Sequence, residues 1–522
     1  MVSQHGIKLA VHLVSSFFGD HNAKVCDCLL RRGTLTLPLI MRYTELSKEN
    51  VRHCLLALIH QNCVQAFSIQ QEGAFGEAPK VITQYMALFD NIIHRMRFPK
   101  FMGIVSEELG EDCEKIFKLL LQHGRLSLSQ ITVDKGENST LESLQENFNK
   151  LVHGRFVERC PAPEPFLEPP PEEQPPAKKR GTKSSKVVEL TIEQRALVAA
   201  APLDSLRFVV EAHHWDDAST EKSEGRSTDV TTAEKRKRDV FELDGSPLDK
   251  EDKKEVLWRV NAEEFLLRLR NKVCVENVRS RFGTECGTVL SAVLELDKGS
   301  NGRVDAGRTA SFTITTIYDE IIKEGHLSMN LERITDCLVQ MGCQRPMIEI
   351  DEPYSIDLKS IIERAQTEEV ESIVLKRYGR EAYRMFRLIS QKGHLLETDK
   401  IADATFIEKK DAIRVLYKLW KDDYLQMEKV NVSGGGPGGG KAIQLMLWKV
   451  NKMCLWEHVL DEMYHAALNL RHRMAHDLEQ EKQIRDKKPE ELKARRSKIR
   501  LIYESSFMNL DDAVMLFQNF RF

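Results

Sequence analysis

Residues Lys115–Ile131 read KIFKLLLQHGRLSLSQI, and the string has two near-copies: KVCDCLLRRGTLTLPLI at Lys24–Ile40 and RMFRLISQKGHLLETDKI at Arg384–Ile401. In each, an amphipathic helix runs into a glycine (Gly33, Gly124, Gly393), one residue follows, and then a leucine (Leu35, Leu126, Leu395). Glycine suits the left-handed backbone on which helices commonly end, and the leucine reads as a short strand entering a core.

The likeness continues downstream. VRHCLLALIHQNCVQAF (Val51–Phe67), LQENFNKLVHGRFVERC (Leu144–Cys160) and AIRVLYKLWKDDYLQME (Ala412–Glu428) are each an amphipathic helix, a polar break and a strand-like run. A weaker fourth copy spans CGTVLSAVLEL and LERITDCLVQMG, Cys286 to Gly342, with a longer connection and no glycine–leucine pair in register. Helix, short strand, helix, helix and a two-stranded hairpin make a winged-helix module. The spacing between copies varies, so the modules form an array and not a regular solenoid.

At the C-terminus Trp456, Leu460, Met463, Ala467, Leu470 and Met474 repeat at four and three, the seam of a coiled coil. Pro489 interrupts, and Ile499, Tyr503, Leu510, Ala513 and Phe517 resume a similar spacing. A seam this short favours a helical hairpin closing on itself over a dimerising zipper. The predicted fold is mainly α with small β wings: four winged helices in tandem and a C-terminal antiparallel coiled coil. Boundaries are expected at 1–78 and 79–160 for the first two modules, 161–255 for a linker, 256–352 and 353–450 for the third and fourth modules, and 451–522 for the hairpin.

The linker is marked by composition. Eight prolines fall between Pro161 and Pro176, and mixed charge follows to about Glu255. Proline withholds backbone donors and the charge-rich part has little to bury, so a largely disordered span is expected. Within it, Val187–Ala212 is apolar enough to dock on something.

The whole chain of 522 residues carries 76 basic and 79 acidic side chains, a net charge of -3, which confines any nucleic-acid contact to local patches. Its eleven cysteines include no C-x-x-C pair and sit mostly among apolar neighbours, the usage of a reducing compartment. The segment Met1–His21 reads as an amphipathic helix and not a targeting signal, and no apolar run is long enough to span a membrane.

Candidate chemistry is sparse. Gly435–Lys441 reads G-x-x-x-x-G-K, but Ala442 stands where a nucleotide loop needs Ser or Thr, and AIQLMLWKV after it is patterned as a strand. Gly434–Gly440 is then a wing tip. His472 and His476 lie one turn apart without a third ligand, and no G-x-S-x-G elbow occurs. No catalytic, metal or cofactor site is expected.

Basic residues remain. On the third helices, Lys48, Arg52 and His53 of the first module and Lys409, Lys410, Arg414 and Lys418 of the fourth are candidate DNA or partner contacts, with Lys441 and Lys449 on the wing. Two linker runs, with Lys178, Lys179 and Arg180 in one and Lys235, Arg236, Lys237 and Arg238 in the other, suit nuclear import or phosphate contact and point to the nucleus.

Four strings then carry a resemblance: HRMRFPKF (His94–Phe101), FVERCP (Phe156–Pro161), WRVNAEEFLLRLR (Trp258–Arg270) and EVESIVLKRYGREAYRMFRLISQKGHL (Glu369–Leu395). In order and spacing they resemble the third-largest subunit of eukaryotic RNA polymerase III, itself similar to the large subunit of TFIIE. The resemblance implies extended winged helices and a subcomplex with two smaller subunits on the clamp of the largest subunit. It also implies partnership with TFIIIB and with DNA near the melted promoter, and a non-catalytic role in promoter recruitment, DNA opening and initiation of tRNA and 5S rRNA synthesis. No small-molecule ligand or membrane partner follows from it. A TFIIE-like general factor and a winged-helix scaffold of the proteasome-lid type are the alternatives; a sequence-specific regulator would need third helices richer in Arg, Asn and Gln.

Overall fold

The computed structural model describes residues 3–71, 80–133, 140–168, 190–210, 255–298, 303–323, 325, 329–343, 353–432, 443–483 and 489–520. The chain divides into two compact units, one of residues 10–265 and the other of residues 1–9 with 266–522.

Helix α1 (Gln4–Phe18) enters the first unit, and Gly19 separates it from α2 (Asp20–Arg32). Then come β1 (Leu35–Thr36), α3 (Leu37–Thr44), α4 (Lys48–His60) and the hairpin β2 (Val64–Gln71) and β3 (Lys80–Ala87). A second copy follows as α5 (Phe89–His94), α6 (Phe98–Leu109), α7 (Glu111–His123), β4 (Leu126–Ser127), α8 (Leu128–Val133), α9 (Leu141–His153) and β5 (Val157–Arg159). Beyond it lie β6 (Phe166–Leu167), α10 (Ile192–Ala200), α11 (Asp204–Arg207), β7 (Leu257–Val260) and α12 (Ala262–Phe282).

The sheets correct the expected boundaries. In the order β1-β3-β2-β6, β3 pairs antiparallel with both β1 and β2, setting Leu35 opposite Tyr85 and Val64 opposite Ala87. The first wing therefore runs to Ala87, past residue 78. In the order β4-β7-β5, β7 lies between two strands of the second module, so Leu257–Val260, which the expected boundary assigns to the third module, completes the second.

The expected linker is also not wholly disordered. Thr191 and Gln194 form a reciprocal capping box on α10, and Ala196 closes a core cluster with Phe67, Met86 and Leu167. Glu158, buried on β5, accepts from Arg207 of α11 at 2.5 Å and from Arg259 of β7 at 2.9 Å. Such a buried carboxylate needs its cations, and they hold α11 against the sheet. Phe265 anchors the core around them, its ring 4.5 Å from Phe101, 5.0 Å from Phe156 and 5.2 Å from Phe117, while Trp258 meets the edge of Phe148 at 5.3 Å. A fully buried aromatic of this kind contributes about 1.5–3 kcal/mol.

In the second unit α13 (Thr284–Lys298), α14 (Ile314–Lys323) and α15 (Leu331–Gln340) form the third module. Isolated bridges of Arg308 with Asp357 and Phe312 with Tyr354 stand in for the short strand there. The fourth module is α16 (Leu358–Tyr378), α17 (Arg380–Lys392), β8 (Leu396–Glu397), α18 (Thr398–Thr405), α19 (Lys409–Lys421), β9 (Gln426–Val432) and β10 (Ile443–Lys449), with its sheet in the order β8-β10-β9.

The long helices α20 (Lys452–Gln483) and α21 (Pro489–Gln518) then pair antiparallel: Tyr503 donates to Asp477 at 2.6 Å, and Arg471 stacks on Phe507. Pro489 opens α21, where its missing N–H costs nothing. Of the predicted seam, Leu460, Met463, Ala467 and Phe517 are buried, but the buried stripe also takes in Val459, Tyr464, Leu468 and Val514. It is broader than a two-helix seam because the hairpin meets other elements. Gln366 of α16 donates to the Leu516 and Phe520 carbonyls, and Glu462 of α20 accepts from Arg377 and Tyr424.

All four modules end their third helix the same way. Asn62, Arg155, Gly342 and Asp423 each have positive φ. The next amide (Cys63, Phe156, Cys343, Tyr424) donates back to a fully buried leucine (Leu58, Leu151, Leu338, Leu419) at 2.8–3.0 Å. This six-to-one bond defines a Schellman cap and turns the chain from helix towards the wing. It brings the weak third module into register with the others, although no shared residue type marks the left-handed position.

Candidate nucleic-acid interface

The third helix is the element a winged helix offers to a DNA groove. In the first module it starts after Ser47, whose hydroxyl accepts from the Asn50 amide. Thr140 and Asn330 cap the second and third modules equally, whereas Glu408 makes no such bond in the fourth.

The two sets of predicted basic residues sit in different settings. Lys48, Arg52 and His53 are all exposed on α4, and none of them forms an ion pair among the described residues. Nearby, Arg32 lies 3.8 Å from the Tyr43 ring centre and Arg31 pairs with Asp27. On α19, Lys409 is held by Asp399 at 2.7 Å and Arg414 by Asp411 at 3.3 Å, while the Lys418 ammonium lies 5.3 Å from the Tyr378 ring centre. Lys410 and Lys418 stand exposed without an ion pair among the described residues. Lys449 pairs across the wing with Glu428 at 2.7 Å. Exposed pairs of this kind add little stability, yet each carboxylate cancels part of the charge a phosphate would meet.

The strand after Lys441 is present as β10, antiparallel to β9, so the G-x-x-x-x-G-K string lies between the strands of a hairpin and not before a helix. Gly434–Gly440, Lys441, Lys178, Lys179, Arg180, Lys235, Arg236, Lys237 and Arg238 lie outside the described residues.

Elsewhere the chemistry is that of a packed interior. Burial pushes the Cys160 thiol up to about 11 and that of Cys274 up to about 12, and raises those of Cys26 and Cys63. Such thiols are poor nucleophiles at neutral pH. His94 is buried with neither ring nitrogen hydrogen-bonded, and burial with the neighbouring Arg97 holds it neutral, well below the usual histidine range. A cleft of about 560 Å³ lined mainly by α16 and α17 has opposed charges: Arg281 faces Glu368 at 3.9 Å and Arg387 faces Glu371 at 4.0 Å. Among the described residues no group of three or more His, Cys, Asp or Glu is placed to hold a metal ion, and no helix is long and apolar enough to cross a membrane. His472 and His476 are exposed on α20.

Sequence reading missed the apolar side of α19. Phe406, in the turn before this helix, is 95% exposed with φ of 57°, and Ile413 and Tyr417 are exposed beyond it. A phenylalanine there looks like any core residue in the sequence. Only the turn geometry turns it outward.

Repeated helix–turn–helix units with wings and a paired C-terminal helix define a tandem winged-helix protein. A family model for RNA polymerase III subunit RPC82 matches residues 146–402, one for its helix-turn-helix domain matches 8–68, and one for the POLR3C C-terminal winged-helix domain matches 370–435. The chain belongs to this family of RNA polymerase III subunits. DNA-directed RNA polymerase III subunit RPC3 of Rattus norvegicus is 22% identical over 504 residues, covering 93% of this chain and 87% of that protein. Its Homo sapiens counterpart is 21% identical with the same coverage, and that of Dictyostelium discoideum 20% identical, covering 92% of this chain and 93% of its own.

Proposed function

We propose that the chain is a non-catalytic, nuclear subunit of RNA polymerase III that supports promoter recruitment, DNA opening and initiation of tRNA and 5S rRNA synthesis. In this reading it sits with two smaller subunits on the clamp and faces TFIIIB and the melted promoter. Its four modules follow the domain division given above, with the first extended to Ala87 and the second completed by β7. The observation that carries the DNA part is the α4 face, where Lys48, Arg52 and His53 are exposed and unengaged by carboxylates. Contacts from such a face go to backbone phosphate, so they are independent of sequence and weaken with salt.

The test uses polymerase reconstituted with Lys48→Glu/Arg52→Glu chain on a tRNA-gene promoter. Opening, read by permanganate reactivity, should fall, and the slope of log affinity against log salt should drop by about one to two. Unchanged opening with an unchanged slope refutes the DNA contact. Transcription from a pre-melted template should be spared, which separates opening from catalysis.

A further inference from the structure

The fourth module presents a face of mixed character. Phe406 is the left-handed cap of α18: its amide donates to Ala402 and Asp403, and the Ile407 amide donates to the Ala402 carbonyl at 3.1 Å. A bulky side chain at positive φ is an outlier that costs about 1 kcal/mol or more. The same turn of the first module carries Glu45 at φ 57°, so this backbone does not require an aromatic. At 95% exposure Phe406 also contributes nothing to the core of its own module. Seven residues on is Ile413 and four further is Tyr417, 51% exposed, with its ring 4.9 Å from Trp420. Ile413 and Tyr417, one turn apart, share a side of α19, and Phe406 stands exposed in the turn just before it.

Beside the stripe, α19 carries Lys409, Lys410, Arg414, Lys418 and Lys421 against a single acid, Asp411. We propose that this face docks an amphipathic helix of another protein, one with an apolar stripe edged by acidic residues. The apolar ridge supplies anchors of the kind that dominate protein interfaces, and the lysines along it complement acid. DNA fits less well. The outermost side chain is apolar, and with Lys409 and Arg414 held by Asp399 and Asp411 the charge left to meet acid at the edge is that of Lys410, Lys418 and Lys421. The inference goes beyond the DNA contact assigned to the first module and does not depend on it.

The experiment uses the full chain and a labelled synthetic amphipathic helix of about 20 residues, with a leucine stripe and glutamate edges. Lysine-edged helix and random-sequence duplex DNA serve as the other probes. The acidic helix should bind at least about tenfold more tightly than the lysine version, and Phe406→Gly/Tyr417→Ser should weaken it about tenfold. Duplex binding should not change. Glycine relaxes the φ of 57°, so amide exchange in the fourth module should be no faster in the variant if Tyr417→Ser is neutral, and Phe406→Gly alone serves otherwise. In assembled polymerase, a photocrosslinker at position 413 should capture a protein segment with acidic, amphipathic sequence. Equal binding of the two helices, retained affinity in the variants, loss of duplex binding in them, or crosslinking to DNA, to a basic segment or to nothing each overturns the proposal.

Discussion

Gly33, Gly124 and Gly393 occupy the same place in three modules, yet replacing them by alanine should have very different consequences. All three have positive φ, at 79°, 85° and 66°; Gly393 alone has the left-handed helical ψ, where alanine costs about 1 kcal/mol, and alanine at Gly33 or Gly124 costs at least about that much. Around Gly393 nothing lies within 4 Å of an added Cβ, and around Gly33 only the Glu193 carboxylate does, at 3.9 Å. At Gly124 the Cβ would sit 2.5 Å from the His60 carbonyl oxygen and 2.9 Å from the Gln61 Cα. Both obstacles are backbone, at the end of α4, and can move only with the first module. Moving it strains the bonds from Gln61 to the Gln122 and His123 carbonyls and from Asn62 to the Gly124 carbonyl. At about 1 kcal/mol for each exposed or half-buried bond, partial loss brings the total for Gly124→Ala to about 3 kcal/mol.

Several modules in one chain make a single unfolding midpoint a poor readout, so the measurement is amide hydrogen exchange in each module. Exchange across Leu120–Ile131 should accelerate about 100-fold in Gly124→Ala, against about fivefold around residue 393 in Gly393→Ala. Acceleration at 124 no greater than at 393 would refute the claim that the two modules are wedged together at this turn.

His94 should make stability sensitive to acid. Its folded pKa lies below the unfolded value, chiefly through burial and then Arg97, so the unfolded chain binds the extra proton. Its contribution is intact above pH about 6.5 and is lost as pH falls below that, by up to about 1.4 kcal/mol per pH unit. His94→Phe should flatten the stability-against-pH curve by about that slope between pH 6.5 and 5, measured by amide exchange in the second module and corrected for the intrinsic pH dependence of exchange; parallel curves would remove His94 as the cause. Asp423→Gly should stabilise the fourth module by about 0.5–1 kcal/mol, since Asp423 has φ of 59° in a Schellman cap and is exposed. Faster amide exchange in the fourth module would show that the aspartate has a structural role beyond its backbone.

The modules were legible because a glycine at a helix end followed by a core leucine is a local signal, readable at Gly124 and Leu126 without knowing what they touch. Their edges were not. Strands β3 and β7 declare themselves only by pairing, β7 with β5 across nearly a hundred residues, and a proline-rich run between two such strands reads as a divider. The left-handed caps were hidden for another reason: Asn62, Arg155 and Asp423 share a conformation with Gly342 but not a side-chain type. The candidate site shows the same limit. Lys409 reads as a free cation until Asp399, ten residues back, comes within 2.7 Å, and Phe406 reads as core until its φ is known.

The placement of β7 changes what the proline-rich stretch is. With Cys160 bonded to the Leu257 carbonyl at 2.8 Å, the two ends of the intervening sequence are stapled side by side. Chain entering and leaving at one point carries no pull between the modules that flank it. Closing such a loop becomes only about 0.6 kcal/mol costlier for each doubling of its length. Outside the docked β6, α10 and α11, sequence in the stretch is thus open to growth, shrinkage and new short motifs over evolutionary time, while the sheet that anchors it stays as it is.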